Sequence, residues 1–253
     1  MSSFSDHFSG HAASYSRFRP GYPRELFDFL AGLSPARSRA WDCATGGGQA
    51  ALPLAERFAQ VVATDASAAQ IAHAAAHPRV GYAVSLAEHV ALRGACADLV
   101  TVAQALHWFD LEAFYDEVRR VLKPGGAIAA WCYGLMRITP PVDAVVERLY
   151  DDVLAPWWPA ERRHIDAGYR DLPFPFAEVP VPALAMRASW TPSEVLGYLS
   201  TWSAVQRCIA AGAGNPLAGV ADRIATLWGD PERPREVTWP LGLRAGTVRA
   251  LAR

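Results

Sequence analysis

The sequence predicts an α/β fold with a doubly wound, mostly parallel β-sheet, and its periodicity and length lead to this prediction. Short apolar segments alternate with amphipathic segments through the first half of the chain, which is the spacing of βαβ units. The chain has 253 residues, of which 51% are hydrophobic, so one large domain with a full core is expected. The five apolar segments that we predict as strands are 40–44, 60–64, 80–84, 98–103 and 127–133.

Helical patterns precede or separate these strands. In the first, Leu26, Phe27 and Leu30 share one face. The last is amphipathic and stops at Lys123-Pro124-Gly125-Gly126, where a C-terminal glycine and a proline end the helix. The predicted helices are 23–32, 49–58, 66–76 and 111–122.

The regular alternation ends after Tyr133. Segment 134–182 contains one helical stretch, 142–154, followed by many prolines and aromatic residues, which favours an irregular apolar cap over further sheet. We therefore expect residues 1–133 and 183–253 to form the core, with residues 134–182 as a cap, or substrate-recognition insertion, after the fifth strand. Further elements are expected as a strand at 184–190, helices through 228 and an antiparallel C-terminal strand or hairpin at 237–248.

The composition argues against several classes of partner. The formal net charge is −1 and the pI is about 6.7, so no basic surface is expected for nucleic acid or for an acidic membrane. The N-terminal segment lacks the basic start and apolar stretch of a secretory signal, and no apolar run approaches the roughly 18–20 residues of a membrane span. The four cysteines are scattered, without a C-x-x-C pair. We expect a cytoplasmic protein with reduced thiols that acts on a small molecule.

A glycine-rich turn follows the first predicted strand. Gly46, Gly48 and Ala51 fit the pattern G-x-G-x-x-G/A, and Asp65 follows Gly46 by 19 positions, at the end of the second predicted strand. Such a turn lets the backbone approach a ligand closely, and the acid accepts hydrogen bonds from ribose hydroxyls. NAD and S-adenosylmethionine both fit, because each presents an adenosine ribose to the second strand. An ordinary tight turn between strand and helix is the third interpretation.

Two features narrow this choice. Asp42 lies inside the first predicted strand, where a charge is costly unless it meets a ligand or buried donors. Lys123 is the only lysine in the chain, and the residue four positions before it is Arg119 rather than tyrosine. The Y-x-x-x-K pair of many reductases is therefore absent, and the proline after Lys123 also excludes a G-K-[ST] phosphate loop.

Five ordered motifs extend the pattern: WDCATGGGQAA, VVATDAS, SLAEHVAL, DLVTVAQALHWFD and EVRRVLKPGGAIAAWCY. Together they resemble the class I S-adenosylmethionine-dependent methyltransferases of the methyltransferase type 11 branch, and they are similar to trans-aconitate methyltransferases. The resemblance covers roughly residues 8–133. It implies a Rossmann-like sheet, S-adenosyl-L-methionine as the cofactor, and methyl transfer to an oxygen, nitrogen or carboxylate of a small-molecule acceptor.

The resemblance also implies which residues bind the cofactor. The acid-x-Gly-x-Gly-x-Gly motif falls on Asp42, Ala44, Gly46 and Gly48, which would hold the methionine end. Ala44 replaces the usual glycine and adds a methyl group near the ligand, so cofactor affinity is expected to suffer. Asp65 would take the ribose hydroxyls.

Other cofactor contacts are implied further along the chain and at its N-terminus. Ala66 would lie beside the adenine, and Ala87 would meet the adenine edge through its backbone amide. Gln104, just past the fourth predicted strand, would flank the methionine portion. Tyr15 and Arg19 resemble the lid of the family, in which an arginine meets the cofactor carboxylate.

His107 is the candidate catalytic residue. It follows the fourth predicted strand, at the edge where ligands bind in open α/β sheets. It would act as a general base or form a wall of the acceptor pocket, and a carboxylate acceptor, which needs no base, favours the wall. Tyr22, Trp108 and Tyr133 are the candidate acceptor-binding residues. No metal site is expected, because the histidine pairs lack further ligands at a suitable spacing.

Two other functions stay open at this point. One is a nicotinamide-dependent oxidoreductase on a similar sheet, and the other is a non-catalytic protein that binds an adenosyl ligand. Binding of S-adenosylhomocysteine compared with NADH distinguishes the first, and product formation with a panel of acceptors distinguishes the second.

Overall fold

The computed structural model describes residues 20–248. Its strands are β1 (Arg39–Cys43), β2 (Gln60–Asp65), β3 (Val80–Val84), β4 (Ala97–Ala103), β5 (Leu122–Tyr133), β6 (Ala177–Glu178), β7 (Ala185–Trp190) and β8 (Arg235–Thr247). They form one sheet of order β3-β2-β1-β4-β5-β8-β6, with β7 paired to β8. Strands β1 to β5 pair in parallel, whereas β8 runs antiparallel to β5. The predicted α/β fold, mostly parallel with an antiparallel C-terminal strand, is confirmed.

Helices connect the strands and cover the sheet. They are α1 (Arg24–Leu33), α2 (Ala51–Ala55), α3 (Ala68–Ala72), α4 (Leu111–Val121), α5 (Pro140–Arg148), α6 (Arg162–Asp166), α7 (Pro192–Ser200), α8 (Ser203–Ala210) and α9 (Ala218–Trp228). The Asp110 side chain caps α4 by accepting the N–H of Ala113, and Arg119 and Arg120 in the last turn complement the helix dipole. Within the described range, no helix has the length and apolar character needed to cross a bilayer.

Two predicted helices are shorter than their sequence pattern. Segment 49–58 is regular only over α2, and segment 66–76 only over α3, where Ser67 accepts the N–H of Gln70 as the N-cap. None of the α3 residues is buried. Because most helical stability in proteins comes from packing of an apolar face, an alanine-rich segment without such packing gains little from further turns.

The order of the sheet fixes where a ligand would bind. The chain moves outward from β1 through β2 to β3 and then returns to β4 on the other side of β1. The connections after β1 and after β4 therefore leave in opposite directions, and a crevice opens between them at the carboxyl ends of the strands. The glycine turn follows β1, Asp65 ends β2, and His107 follows β4 in a 3₁₀ turn over Leu106–Trp108.

The central parallel strands β1 and β4 are buried on both faces, whereas the edge strand β3 is largely exposed. Trp41 of β1 packs on one side with Phe114 of α4, while the neighbouring Ala40 faces the other side with Phe27 of α1 and Leu54 of α2. Successive side chains of a strand point to opposite faces, so a fully apolar strand needs helices on both sides. This double burial explains why these strands are continuous apolar runs.

A third apolar cluster lies beyond the end of β5 and joins α5 to α7, α8, α9 and the first half of β8. By contrast, Ile165, Tyr169 and Leu172 pack in the cluster beneath α4. Segment 134–182 therefore divides its side chains between two apolar clusters. Its boundaries as a cap stay a prediction.

Candidate functional site

Asp42 lies beneath the glycine turn with no exposed surface. Its carboxylate accepts hydrogen bonds from the hydroxyls of Thr45 (2.5 Å) and Thr101 (2.7 Å). The pKa of Asp42 is raised to about 6. Burial is the main cause and the negative charge of Asp65 adds to it, whereas the two hydroxyl hydrogen bonds partly oppose the rise. Within residues 20–248 no basic side chain forms an ion pair with this carboxylate. A buried acid in this state suits a positively charged ligand above it.

The turn after β1 has three residues in the left-handed region. Ala44 has φ +53°, Gly46 has φ +56° and Gly48 has φ +88°. A Cβ at Gly48 would overlap the hydroxyl of Tyr82, so a larger residue here would also displace that side chain of β3. Ala44 adopts the same region at a cost of about 1–2 kcal/mol, which a glycine would avoid.

Asp65 ties the ends of β1 and β2 together. Its Oδ2 accepts the N–H of Gly46 (2.9 Å), and its Oδ1 accepts the N–H of Ser67 (2.8 Å). The half-buried side chain lies at the carboxyl end of β2, beside the glycine turn. Ala66 follows directly, and Leu86, two residues beyond the end of β3, is 49% exposed despite its apolar side chain.

Two further predicted cofactor residues lie at the same sheet edge. Ala87 is buried in the loop after β3, and the neighbouring Glu88 accepts the backbone N–H of Asp110 (3.1 Å). Gln104 directly follows β4 with φ +57°, and its side-chain amide bonds both the N–H and the C=O of Tyr133. The backbone N–H of Gln104 is also used within the sheet, because it donates to the carbonyl of Trp131 (2.8 Å).

His107 and Tyr169 form a buried pair. Nδ1 of His107 lies 3.0 Å from the Tyr169 hydroxyl, and the backbone N–H of Leu106 also faces the phenol oxygen. The phenol proton is then directed to the imidazole, so we assign Nδ1 as the acceptor and Nε2 as the protonated nitrogen. Burial, followed by the positive charges of Arg162 and His164, lowers the pKa of His107 to about 3. The imidazole is therefore neutral over the physiological range.

Tyr169 was not found by the sequence analysis. Its φ is +62°, directly after Gly168 with φ +60°, and a non-glycine residue there is strained. The turn packs directly on β8, because Gly168 meets Gly242, where an added Cβ would lie only 2.6 Å from the Gly168 Cα. Arg244 of β8 also donates to the Tyr169 carbonyl (3.0 Å). Strain maintained by surrounding packing is common at functional sites. No local sequence motif predicts such a residue, because the residues that it contacts are far away in the sequence.

The predicted acceptor residues fall into two groups at the ends of β4 and β5. The Tyr22 ring lies edge-on to Trp131 (5.4 Å between centroids) and 6.5 Å from the Tyr133 ring. The Trp108 ring lies 4.7 Å from that of His107. The ring of Tyr22 thus lies near that of Tyr133, and the ring of Trp108 lies near that of His107.

Some predicted residues cannot be placed. Tyr15 and Arg19 lie outside the described residues. Within residues 20–248, no three His, Cys, Asp or Glu side chains converge as a metal site. His73, for example, bonds the backbone carbonyl of Ala69 through Nδ1 (2.7 Å).

Comparison with known proteins agrees with this geometry. Residues 41–130 match a family model described as a methyltransferase domain. A Dictyostelium discoideum protein named as a putative methyltransferase is 35% identical over 225 residues, which cover 87% of this chain and 86% of that protein. An uncharacterized methyltransferase of Mycobacterium tuberculosis is 38% identical over 48% of this chain and 49% of its own length. The solved structure of a putative type II methyltransferase from Anaeromyxobacter dehalogenans is 50% identical, with a TM-score of 0.87, over 92% of this chain and 99% of that one.

The chain belongs to the methyltransferase family, as a class I S-adenosylmethionine-dependent member. Its cofactor is S-adenosylmethionine, so the nicotinamide-dependent alternative is not retained. The closer likeness to trans-aconitate methyltransferases stays a prediction.

The described residues fit this cofactor. The buried negative charge of Asp42 suits a ligand that carries a sulfonium and an ammonium group. The left-handed turn at Gly46 brings backbone close to the same crevice. The exposed apolar side chain of Leu86 lies near Asp65, where an adenine base needs an apolar face.

Proposed function

We propose that the protein transfers the methyl group of S-adenosylmethionine to an oxygen, nitrogen or carboxylate of a small-molecule acceptor. The supporting observation is that one edge of the sheet joins the glycine turn after β1 to a neutral, Tyr169-bound His107 after β4. The two groups follow adjacent strands, so cofactor and acceptor would meet between them. The proposed cap at 134–182 would close over the acceptor.

The cofactor roles follow from the strand ends. Asp42, Ala44, Gly46 and Gly48 would hold the methionine portion, together with the backbone of Gln104. Asp65 would accept from the ribose hydroxyls at the carboxyl end of β2, beside the glycine turn. Residues expected around the adenine are Ala66 and Ala87, and those expected from the N-terminal lid are Tyr15 and Arg19.

Positioning would supply most of the catalysis. S-adenosylmethionine, when bound, supplies an electrophilic methyl carbon for in-line displacement, and correct alignment removes about 7–11 kcal/mol of a barrier. Tyr22, Trp108 and Tyr133 would orient the acceptor in front of that carbon.

His107 would form a wall of the acceptor pocket and donate through Nε2, rather than act as a general base. Its pKa of about 3 and the use of Nδ1 by Tyr169 make proton abstraction near pH 7 inefficient. An acceptor that reaches the site already deprotonated, or with a free lone pair, agrees with this role.

Calorimetry with S-adenosylhomocysteine and with NADH tests the cofactor, and binding of the former alone is expected. Labelled S-adenosylmethionine with fractionated metabolite extracts then tests catalysis, with the label expected in a small molecule. Cofactor binding without product from any fraction would instead favour a non-catalytic adenosyl-ligand protein.

The role of His107 has its own test. His107→Gln keeps an N–H donor of similar reach and is expected to retain most activity, whereas His107→Phe is expected to lose more. A general base would be lost equally in both variants, at a cost of about 10²–10⁴-fold.

The same proposal includes a cytoplasmic location and small-molecule rather than nucleic-acid substrates. The near-neutral charge supports it, as do the four cysteines, all of which are buried and free. Cell fractionation with an antibody tests the location.

A further inference from the structure

Arg162, the first residue of α6, is held against two aromatic rings. Its guanidinium carbon lies 4.9 Å from the centroid of Trp158 and 5.3 Å from that of Tyr150. Its Nε donates to the Tyr150 hydroxyl (2.8 Å), and its side chain is only 20% exposed. The two rings pack on each other and on Trp202. The guanidinium is therefore fixed in orientation by stacking and by one hydrogen bond.

Most of the donors of this guanidinium are unused. Nε accounts for one of its five N–H groups, and within residues 20–248 neither Nη atom bonds a protein acceptor. Asp166, the nearest carboxylate, is 3.8 Å from Nε, is largely exposed, and accepts the hydroxyl of Tyr150 instead. The free Nη edge is the fork that binds a carboxylate or phosphate in a bidentate manner.

Arg162 lies close enough to the proposed acceptor pocket for its charge to affect residues there. Helix α6 packs against the 3₁₀ turn that carries His107 and against β5. After burial, the positive charge of Arg162 helps to lower the pKa of His107, and it slightly opposes the burial that raises the pKa of Tyr169. Arg162 is thus a cation on the same side of the sheet as the His107–Tyr169 pair.

We propose that Arg162 is an anion-binding group of the acceptor pocket and that the acceptor carries a carboxylate or phosphate, which Arg162 binds through its Nη atoms. This inference rests on the proposed function. The Nε2–H of His107, whose ring senses the Arg162 charge, would add a neutral donor for the same anion. A packing role alone would explain the stacking and the Nε hydrogen bond but would give the protein no preference for charged ligands.

The test uses the protein saturated with S-adenosylhomocysteine and four probes, namely benzoate, phenyl phosphate, benzamide and phenol. The wild-type protein is expected to bind one of the two anions at least tenfold more tightly than its neutral counterpart. Arg162→Met is expected to lose that preference, because a charge-assisted bidentate contact contributes more than a tenfold effect. The tighter of the two anions distinguishes a carboxylate from a phosphate.

The matched control is Arg163→Met, which removes the exposed neighbouring arginine of α6 and is expected to leave probe binding unchanged. Arg162→Lys keeps the positive charge but lacks the two Nη donors, and its preference for the anion is expected to lie between those of the wild type and Arg162→Met. This variant tests the proposal if Arg162→Met does not fold. Equal binding of anions and neutral probes by the wild type, or an unchanged preference in both variants, would overturn the proposal. Failure of the wild type to bind S-adenosylhomocysteine would overturn the proposed function instead.

Discussion

The hydroxyl of Tyr169 lies 3.0 Å from Nδ1 of His107, across 62 positions of sequence. Because the phenol donates this bond, it fixes which imidazole nitrogen carries the proton. The bond thus defines how His107 meets an acceptor.

Replacing Tyr169 by phenylalanine is expected to release this tautomer while leaving the fold intact. In ¹⁵N NMR spectra, wild-type His107 should show a protonated Nε2 and no titration between pH 5 and 8, because its pKa is about 3. Tyr169→Phe should show a mixture of tautomers and about tenfold slower turnover, the effect of one lost hydrogen bond.

Tyr115→Phe is the matched control for this experiment. Tyr115 is equally buried, but its hydroxyl donates to the carbonyl of Pro173 (2.8 Å). Its loss should leave the His107 spectrum unchanged. A His107 signal that titrates near pH 6.5 in the wild type would contradict the assignment.

Asp65→Asn is expected to weaken S-adenosylhomocysteine binding by about 10–100-fold, because hydrogen bonds to a charged group contribute about 1.5–3 kcal/mol. Calorimetry measures the change. Asp28→Asn, on the exposed face of α1, should have no effect. If both variants bound equally well, the ribose role of Asp65 would be wrong.

Ala44→Gly is expected to raise cofactor affinity severalfold, since it removes a methyl group from the turn and relieves the left-handed strain at φ +53°. Its unfolding free energy should stay within about 1 kcal/mol of wild type, because the relieved strain is offset by a more flexible unfolded chain. Ala51→Gly, in the right-handed helix α2, should instead destabilise by about 1 kcal/mol. Weaker binding by Ala44→Gly would show that the methyl group itself contacts the ligand favourably.

Lys123→Met is expected to lower the unfolding free energy by about 3 kcal/mol, measured by urea denaturation. Lys123 donates to the Oδ1 of fully buried Asp98 (2.6 Å), and its removal leaves that charge without its cation. Arg187→Met breaks the exposed pair with Glu236 and should cost less than 1 kcal/mol. Equal effects would show that Lys123 contributes only as a surface charge.

The same pair predicts a pH dependence. Burial raises the pKa of Asp98, but hydrogen bonds from Lys123, Ser38 and Arg39 outweigh it and hold the pKa below the ordinary value of 3.8. The folded state therefore binds its proton less readily than the unfolded state, so the stabilisation is present above pH 3.8 and is lost as the pH falls below it. The stability difference between wild type and Asp98→Asn should shrink over that range.

The sequence alone determined the five parallel strands, the glycine turn and the class of protein, but not β6. Apolar runs reflect burial and the glycines at 46 and 48 reflect backbone preference, and both effects involve only a few consecutive residues. They can therefore be recognised from the sequence alone. The acids Asp42 and Asp65 were also found locally, Asp42 as a charge inside an apolar strand and Asp65 as the acid that ends the second strand, 19 positions after Gly46.

Only the tertiary structure decided the other contacts of the site. Tyr169 reaches His107 because Gly168 packs on Gly242 and Arg244 holds the turn, and Arg162 gains its orientation from Trp158 and Tyr150. Gly48 likewise lies against the Tyr82 side chain of β3. These contacts arise from how separate elements pack, and packing joins residues whose local sequences carry no sign of one another.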